Sequence, residues 1–452
     1  MNLKRLRAFD RRMAPMNPPP KKLMMRSSPI TTIVFLFAAL GLSPDALAEE
    51  GAEATSEKHG YAPLALDSPY MTGDWGGART TLEEHGVVTQ LYLNYTTLWN
   101  VGGGRANGGK PAATMDLLMH LDLGEMGLVE RGRILGHFQR IMGSGINPWI
   151  GSNFQVADDN DGEGNLYVAQ LYYEHELIEK KLWMRLGFLD LQTIVDRNRF
   201  SNSEDKQFLS QALDNNPLLP LPESLGLELE YRPVDWFSIV GGVADIDERR
   251  HHKPIKSAFD GPDDFVFYLE PEFHVNFDNP WGPGKLEGNY RFGMLYDGEK
   301  HEIFEHAGEG GERFEDRKGD DVGFYVSFDQ DLFRENDVDA QGLGWFFRYG
   351  FRHGDISRIS NYWSTGLSYL GPIPTRDKDT LGVAIFQNIP SDIYQSRVNP
   401  FAHDETVFEA FYSIHIADWL YITPDVQYIS SPGIDDSLSD AIVVGVRTRI
   451  SF

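Results

Sequence analysis

The chain has 452 residues, a formal charge of −26 at neutral pH and no cysteine. The acidic balance argues against nucleic acid or an anionic surface as partner. Without thiols an exported fold has no disulfide framework and must hold by backbone pairing and burial.

The N-terminus reads as an export signal. Lys4, Arg5, Arg7, Arg11, Arg12, Lys21, Lys22 and Arg26 form a basic region, Ile30 to Leu42 is apolar, and Ala46-Leu47-Ala48 is a small-x-small cleavage site. That order predicts a secretory signal peptide over 1–48, with a mature chain from Glu49. The segment holds eight Lys/Arg and two Asp/Glu, so its removal takes the formal charge from −26 to −32. Residues 49–86 read as an N-terminal periplasmic segment. Gly76-Gly77 beside Trp75 shape a turn into a short helix over Ala78 to His85.

From residue 87 onward the pattern has period two, bounded by Gly, Pro, Asp and Asn clusters. It recurs sixteen times, at about 87–99, 113–123, 131–141, 166–176, 181–190, 225–232, 235–245, 264–277, 285–296, 321–329, 342–353, 361–370, 380–389, 405–417, 419–429 and 440–452. In 264–277, Phe265, Phe267, Leu269, Phe273, Val275 and Phe277 oppose Tyr268, Glu270, Glu272, His274 and Asn276. Connections after odd strands are mostly long and those after even strands mostly short; 354–360 and 330–341 break the pattern. The last strand alternates Ile442, Val444, Val446, Thr448, Ile450 and Phe452 against Gly445, Arg447, Arg449 and Ser451, and ends on the aromatic.

An even count, long and short connections in turn, and a terminal aromatic fit an all-β, sixteen-stranded antiparallel transmembrane β-barrel over 87–452, with a short N-terminal periplasmic helix. The 28 Phe, 19 Tyr and 9 Trp suit interface girdles, although a secreted carbohydrate-binding β-protein would carry a similar load. Such a protein would more readily show two domains and a linker, and none follows residue 86.

Three stretches carry a resemblance. Residues 69–86, Pro-Tyr-Met-Thr-Gly-Asp-Trp-Gly-Gly-Ala-Arg-Thr-Thr-Leu-Glu-Glu-His-Gly, resemble the start of the OprB-type carbohydrate-selective porins, where Gly-Asp-Trp-Gly-Gly-x-Arg opens a short helix before the first strand. Phe408–Ile429 followed by Ser431-Pro432-Gly433 is similar to that family's closing hairpin. Asn198 to Asn216, with Phe200, Phe208 and Asn215-Asn216, resembles its inward loop. The resemblance covers about 69–452. It implies a sixteen-stranded outer-membrane channel, in a Gram-negative bacterium, that passes mono- and oligosaccharides.

The longest connection, 191–224, is the candidate constriction. It contributes Asp196, Arg197, Arg199 and Phe200, with Asp205, Lys206 and Phe208 beside them. By strand parity Arg133, Arg185, Arg291, Arg348, Arg352 and Arg447 face the lumen, as do Glu270 and Glu272. Facing guanidinium and carboxylate rows can hydrogen-bond sugar hydroxyls in place of water, and aromatic rings can take the C–H face. Transit also requires that the binding stay weak.

Other features carry less. His120, His137, His274 and His415 have no metal-ligand spacing. Residues 158–164 look like a calcium loop, but the Glu required six residues after the Gly is Gln170. The loop glycines Gly102-Gly103-Gly104 precede no helix that could cradle phosphate. No Gly-x-Ser-x-Gly elbow marks a hydrolase. No catalytic residue, metal or cofactor is therefore expected. The expected partners are glucose and other small saccharides and the outer-membrane lipid, with a homotrimer as one assembly open to the chain. The alternative channel is a general or cation-preferring porin, which the net −32 would suit.

Overall fold

The computed structural model describes residues 68–158, 166–219, 223–246, 264–304 and 317–452. The expected signal peptide 1–48, the first half of the 49–86 segment (49–67) and nearly all of the acidic 158–164 loop lie outside the described residues.

The strands are β1 (Val87–Gly102), β2 (Gly108–Asp122), β3 (Gly132–Gly143), β4 (Leu166–Ile178), β5 (Leu182–Asp190), β6 (Glu223–Val234), β7 (Phe237–Asp245) and β8 (Phe265–Asp278). They continue as β9 (Lys285–Asp297), β10 (Asp321–Arg334), β11 (Gly342–Phe351), β12 (Ile359–Leu370), β13 (Thr380–Pro390), β14 (Glu405–Ala417), β15 (Leu420–Ser430) and β16 (Ala441–Ser451). All sixteen pair antiparallel with their neighbours in sequence, and β16 returns to β1 to close the barrel. The seam runs from Tyr92 opposite Ser451 to Gly102 opposite Ile442. A two-residue ladder, 301–302 with 317–318, stands apart from the wall in the connection after β9.

Each strand begins and ends close to where the alternation does. The break expected at 330–341 shrinks, because β10 continues to Arg334 and leaves a turn of 335–341. One barrel end thus carries the long connections 144–165, 191–222, 246–264, 298–320 and 391–404, and the other carries turns as short as 235–236 and 418–419. Register shifts occur at His137/Phe138 in β3 and at Asp331/Phe333 in β10. Neither moves a lumen charge named above to the other face.

The two faces are inverted relative to a protein that folds in water. On β6, Leu227 and Leu229 are exposed while Glu228, between them, is 0% exposed. On β8, Phe265, Phe267 and Leu269 are exposed while Glu270 and Glu272 are buried. The outward row continues through Tyr95, Leu186, Phe292, Phe324, Leu381, Phe408, Val426 and Ile442. An apolar belt of this extent is not stable against water. Against lipid it is required, and so is a closed ladder that leaves no backbone N–H or C=O unpaired.

The Gly-Asp-Trp-Gly-Gly-x-Arg stretch locks the seam. The Asp74 carboxylate accepts hydrogen bonds from the Thr80 N–H and hydroxyl, at 2.9 and 3.0 Å, and so fixes the start of the helix α1 (Ala78–Glu84). Gly77, with φ +98°, makes the turn into that helix. Arg79 is thereby carried to the barrel end, where it is only 4% exposed. Its guanidinium lies 3.5 Å from the Tyr70 ring centroid and 4.3 Å from that of Trp75, and Nη2 donates to the Phe452 carbonyl at 2.9 Å. The Met71 N–H donates to the Ser451 carbonyl, and the Phe452 N–H to that of Leu91. One cation therefore ties the N-terminal segment to Phe452, the residue that follows the closing strand.

Replacing Arg79 with Ala removes two cation–π contacts and a hydrogen bond, together worth about 1–3 kcal/mol. We expect the urea midpoint of the detergent-folded R79A barrel to fall accordingly, with its single-channel conductance unchanged. An unaltered midpoint would show that the seam does not depend on this cation.

Candidate functional site

The lumen is partly filled by the connection 191–222, which leaves β5 and folds inward. Polar pins hold it from several sides of the wall. Arg348 of β11 is 0% exposed; its Nη1 donates to the Leu213 carbonyl at 2.6 Å, its Nη2 to that of Asp196 at 3.1 Å, and its Nε lies 3.1 Å from the Asp196 carboxylate. Glu409 of β14 accepts the N–H groups of Leu209 and Ser210, at 2.5 and 3.1 Å. Glu270 of β8 accepts the Asp196 N–H at 2.7 Å and the Tyr325 hydroxyl at 2.5 Å. From β16, Arg447 donates to the Glu204 carbonyl, and Arg449 pairs with Asp205 at 2.6 Å. Tyr362 donates to the Ala212 carbonyl.

These bonds explain why the loop folds inward. A buried guanidinium or carboxylate without a partner is costly, and a loop backbone supplies the C=O and N–H groups each one lacks. Removing one partner of such a pair costs roughly 3–5 kcal/mol, because the other is left buried and unpaired.

An apolar contact completes the seat. Phe208 lies 4.9 Å from Phe411, edge to face, and 5.7 Å from Phe346, with Leu209 and Leu213 in the same cluster. Phe200 rests on Gly344, where an added Cβ would come within 2.0 Å of the ring. The neighbouring connection, 144–165, joins this cluster through Ile146, Ile150, Val156 and Ala157. Glu405 holds it by accepting from the Ser152 hydroxyl at 2.6 Å and the Asn153 N–H at 2.9 Å. The Asp158 N–H then donates to the Leu209 carbonyl at 2.8 Å, tying the two loops together.

The twelve residues singled out in the sequence separate into three groups. Asp196, Glu270, Arg348 and Arg447 are buried beneath the inward loop and anchor it, so they do not line water as expected. Arg291 and Glu272 are also buried; they pair with each other at 2.6 Å, and Arg291 reaches Asp329 at 2.8 Å. Arg197, Arg199 and Phe200 sit together on the loop's free edge. Arg197 lies 3.7 Å from Glu272, and Arg199 is held by Asp329 and, at 3.2 Å, by Asp331. The other three stand apart. Arg185 bridges Glu174, Glu228 and Glu230 on the wall. Arg133, beside Asp122 and Glu174, is at the short-turn end, and Arg352, held by Asp297 and Asp321 at 2.7 Å each, is at the long-loop end.

The sequence reading missed the apolar half of the seat and the role of 144–165. Phe346, Tyr362, Phe386, Val407 and Phe411 all face inward. The available signal was loss of alternation: Trp345-Phe346-Phe347 and Val383-Ala384-Ile385-Phe386 are apolar on both faces, as strands covered on both sides are.

The loop edge is basic. Arg197 and Arg199 keep 36% and 30% of their side chains exposed, while their partners Glu272 and Asp329 keep 3% and 0%. Loop acids face inward instead. Asp214 is buried, with Asn215 Nδ2 donating to one oxygen at 2.7 Å. Burial lifts its carboxyl well above the usual value, and the Asp158 charge adds to this against the lowering pull of Arg348. Among the described residues Asp297, Glu299 and His301 could together approach a cation. However, the Arg352 guanidinium already sits on Asp297 at 2.7 Å.

Residues 112–452 match the sequence profile of the OprB family, the carbohydrate-selective porins. The chain belongs to that family. It is 25% identical to Porin B of Pseudomonas aeruginosa, over 93% of this chain and 96% of the relative. It is 22% identical to the putative porin QuiX of Acinetobacter baylyi, over 85% of this chain and 94% of that one. Among solved structures, the high-pH form of Pseudomonas putida OprB matches its fold with a TM-score of 0.75, at 21% identity, over 86% of this chain and all of that one. The protein is accordingly an outer-membrane β-barrel channel, and the inward loop is the feature that narrows this porin.

Asp214 gives the seat of the loop a pH dependence. Its folded pKa lies above its unfolded value, near 3.9, so ionisation disfavours the fold. The penalty is absent below the unfolded value and complete above the folded one. We expect D214N to raise stability at pH 7.5 and the gain to vanish below about pH 4, read from urea midpoints across pH. A gain independent of pH would show that charge is not the cause.

Proposed function

We propose that this porin passes neutral mono- and oligosaccharides such as glucose by passive diffusion, selected where they cross the edge of the inward loop. The observation that supports this most is the division of charge there. Arg197 and Arg199 face the water with Glu272, Asp329 and Asp331 standing behind them, and one acid, Glu287, shares the edge 3.8 Å from Arg199. A guanidinium offers five N–H donors in a fixed plane, and the pairs with Glu272, Asp329 and Asp331 leave part of each fork for sugar hydroxyls. Phe200 lies beneath, with the Arg199 guanidinium 5.0 Å from its ring centroid. Glu272 and Asp329, buried in the wall, add little at the opening, so the chain's acidic total does not by itself make the alternative, a cation-preferring porin, the better reading; the exposed Glu287 is the acid that would favour it.

In this reading residues 1–48 are a cleaved export signal, 49–86 lie in the periplasm and 87–452 form the barrel, with the long connections outside the cell. The channel is not an enzyme. It is complete within one chain, so each copy conducts whether it stands alone or in a homotrimer.

Reconstituted in liposomes, the protein should admit glucose faster than an amino acid of similar size. In planar bilayers, Arg199→Glu should raise the K+ to Cl− permeability ratio several-fold and slow glucose entry. Equal entry of glucose and the amino acid, with strong cation preference in the unaltered protein, would establish the general acidic porin instead.

A further inference from the structure

At the long-loop end, above the inward loop, a cavity of about 300 Å³ opens between four connections. This is the lower end of the ~300–1,000 Å³ typical of small-molecule sites. Its lining combines apolar residues, Phe154, Pro217, Leu218, Ile356 and Ile359, with polar ones, Asn153, His301, Ser357, Arg352 and Arg358. No carboxylate is among its lining residues. In a chain of net charge −26 with 67 Asp and Glu, a lining that holds two guanidinium groups and no acid stands out, although Arg352 is itself paired with Asp297 and Asp321 behind it.

The two arginines differ. Arg352 is tied down, with Nε on Asp321 and Nη2 on Asp297 at 2.7 Å each, so its Nη1 is the nitrogen left for a ligand. Arg358 forms no ion pair with any described carboxylate. Its guanidinium instead lies 5.4 Å from the Tyr394 ring centroid, which orients it and leaves its charge uncompensated. The backbone beneath is fixed, because the Arg358 carbonyl accepts the Ser391 N–H at 2.9 Å and the Ser357 hydroxyl donates to the Ile359 carbonyl at 2.6 Å. An uncompensated guanidinium favours an anion, and its planar fork matches a carboxylate with two parallel hydrogen bonds. The Phe154 ring and the aliphatic side chains of the lining suit the C–H face of a pyranose. The cavity shares Pro217 and Leu218 with the inward loop, and in the inference below its occupant is cargo.

We infer that this mouth cavity is a capture site for monosaccharides that carry a carboxylate, with Arg358 as its specificity-determining residue. The inference rests on the channel reading above and adds a second, charged class of saccharide to it. Arg358 selects for the acid at the entrance, before it reaches the loop edge. Because the pairing is electrostatic and close to water, added salt weakens it.

The test compares glucuronate with glucose on the purified full-length barrel in detergent by calorimetry, with liposome entry of both sugars measured alongside. The unaltered protein should bind glucuronate at least tenfold more tightly than glucose in 50 mM KCl, with the difference reduced in 500 mM KCl. Arg358→Gln should abolish the difference, and Arg358→Lys should retain most of it. Glucose entry should be the same in all three, which also reports that the variants fold. Equal binding of the two sugars, or a preference that survives Arg358→Gln, would overturn the inference while leaving glucose entry, and the channel reading, intact. Loss of glucose entry in the unaltered protein would instead defeat the channel reading itself.

Discussion

Lipid offers the backbone no hydrogen-bond partner, and this constraint organises the whole molecule. Every strand N–H and C=O must pair within the sheet, so the sheet must close, and the seam between β16 and β1 is where closure is completed. Closure leaves one face to lipid and one to the lumen. The period-two pattern then reads inside out, with Leu227 and Leu229 outward and Glu228 inward. Arg79 belongs to the same problem. Strand β16 closes the barrel, and the N-terminal segment supplies the cation that holds the Phe452 carbonyl just past it.

A polar lumen creates a second problem, and the inward loop solves it. Charges on the inner wall either face water or need partners. Around 191–222 the wall charges bind loop backbone: Arg348 takes carbonyls, while Glu409 and Glu270 take N–H groups. The apolar contact of Phe208 with Phe346 and Phe411 adds dispersion and burial where the polar pins leave a gap. Most of the lumen charge is thus spent on position. The loop's free edge, with Arg197 and Arg199 beside Glu287, keeps side chains open to a solute.

The barrel was legible in the sequence because alternation is a local property. Strands such as 264–277 show both faces without knowledge of their neighbours, and the long and short connections give the topology. The candidate loop was legible by its length and its resemblance to a family. Which charges touch water was not. Arg348 and Arg199 look alike along the chain, yet one is 0% exposed and the other keeps 30% of its side chain open. That difference depends on what a loop more than a hundred residues away does in three dimensions. The seat under Phe208 was hidden for a related reason: where both faces of β11 and β13 are apolar, period two gives no sign of which residues turn inward. The part played by 144–165 leaves still less trace, since its anchors are backbone groups, such as the Asn153 N–H on Glu405, that every residue but proline possesses.

If a loop pinned inside the barrel sets both aperture and selectivity, its removal must change both. The most direct measurement is the single-channel conductance of a variant in which residues 198–216 are replaced by a short Gly-Ser linker, together with its entry rates for glucose and an amino acid of similar size. A pinned constriction predicts a conductance several-fold above that of the unaltered channel and equal entry of the two solutes. An unchanged conductance with the preference for glucose retained would contradict it and place the selecting element elsewhere in the lumen.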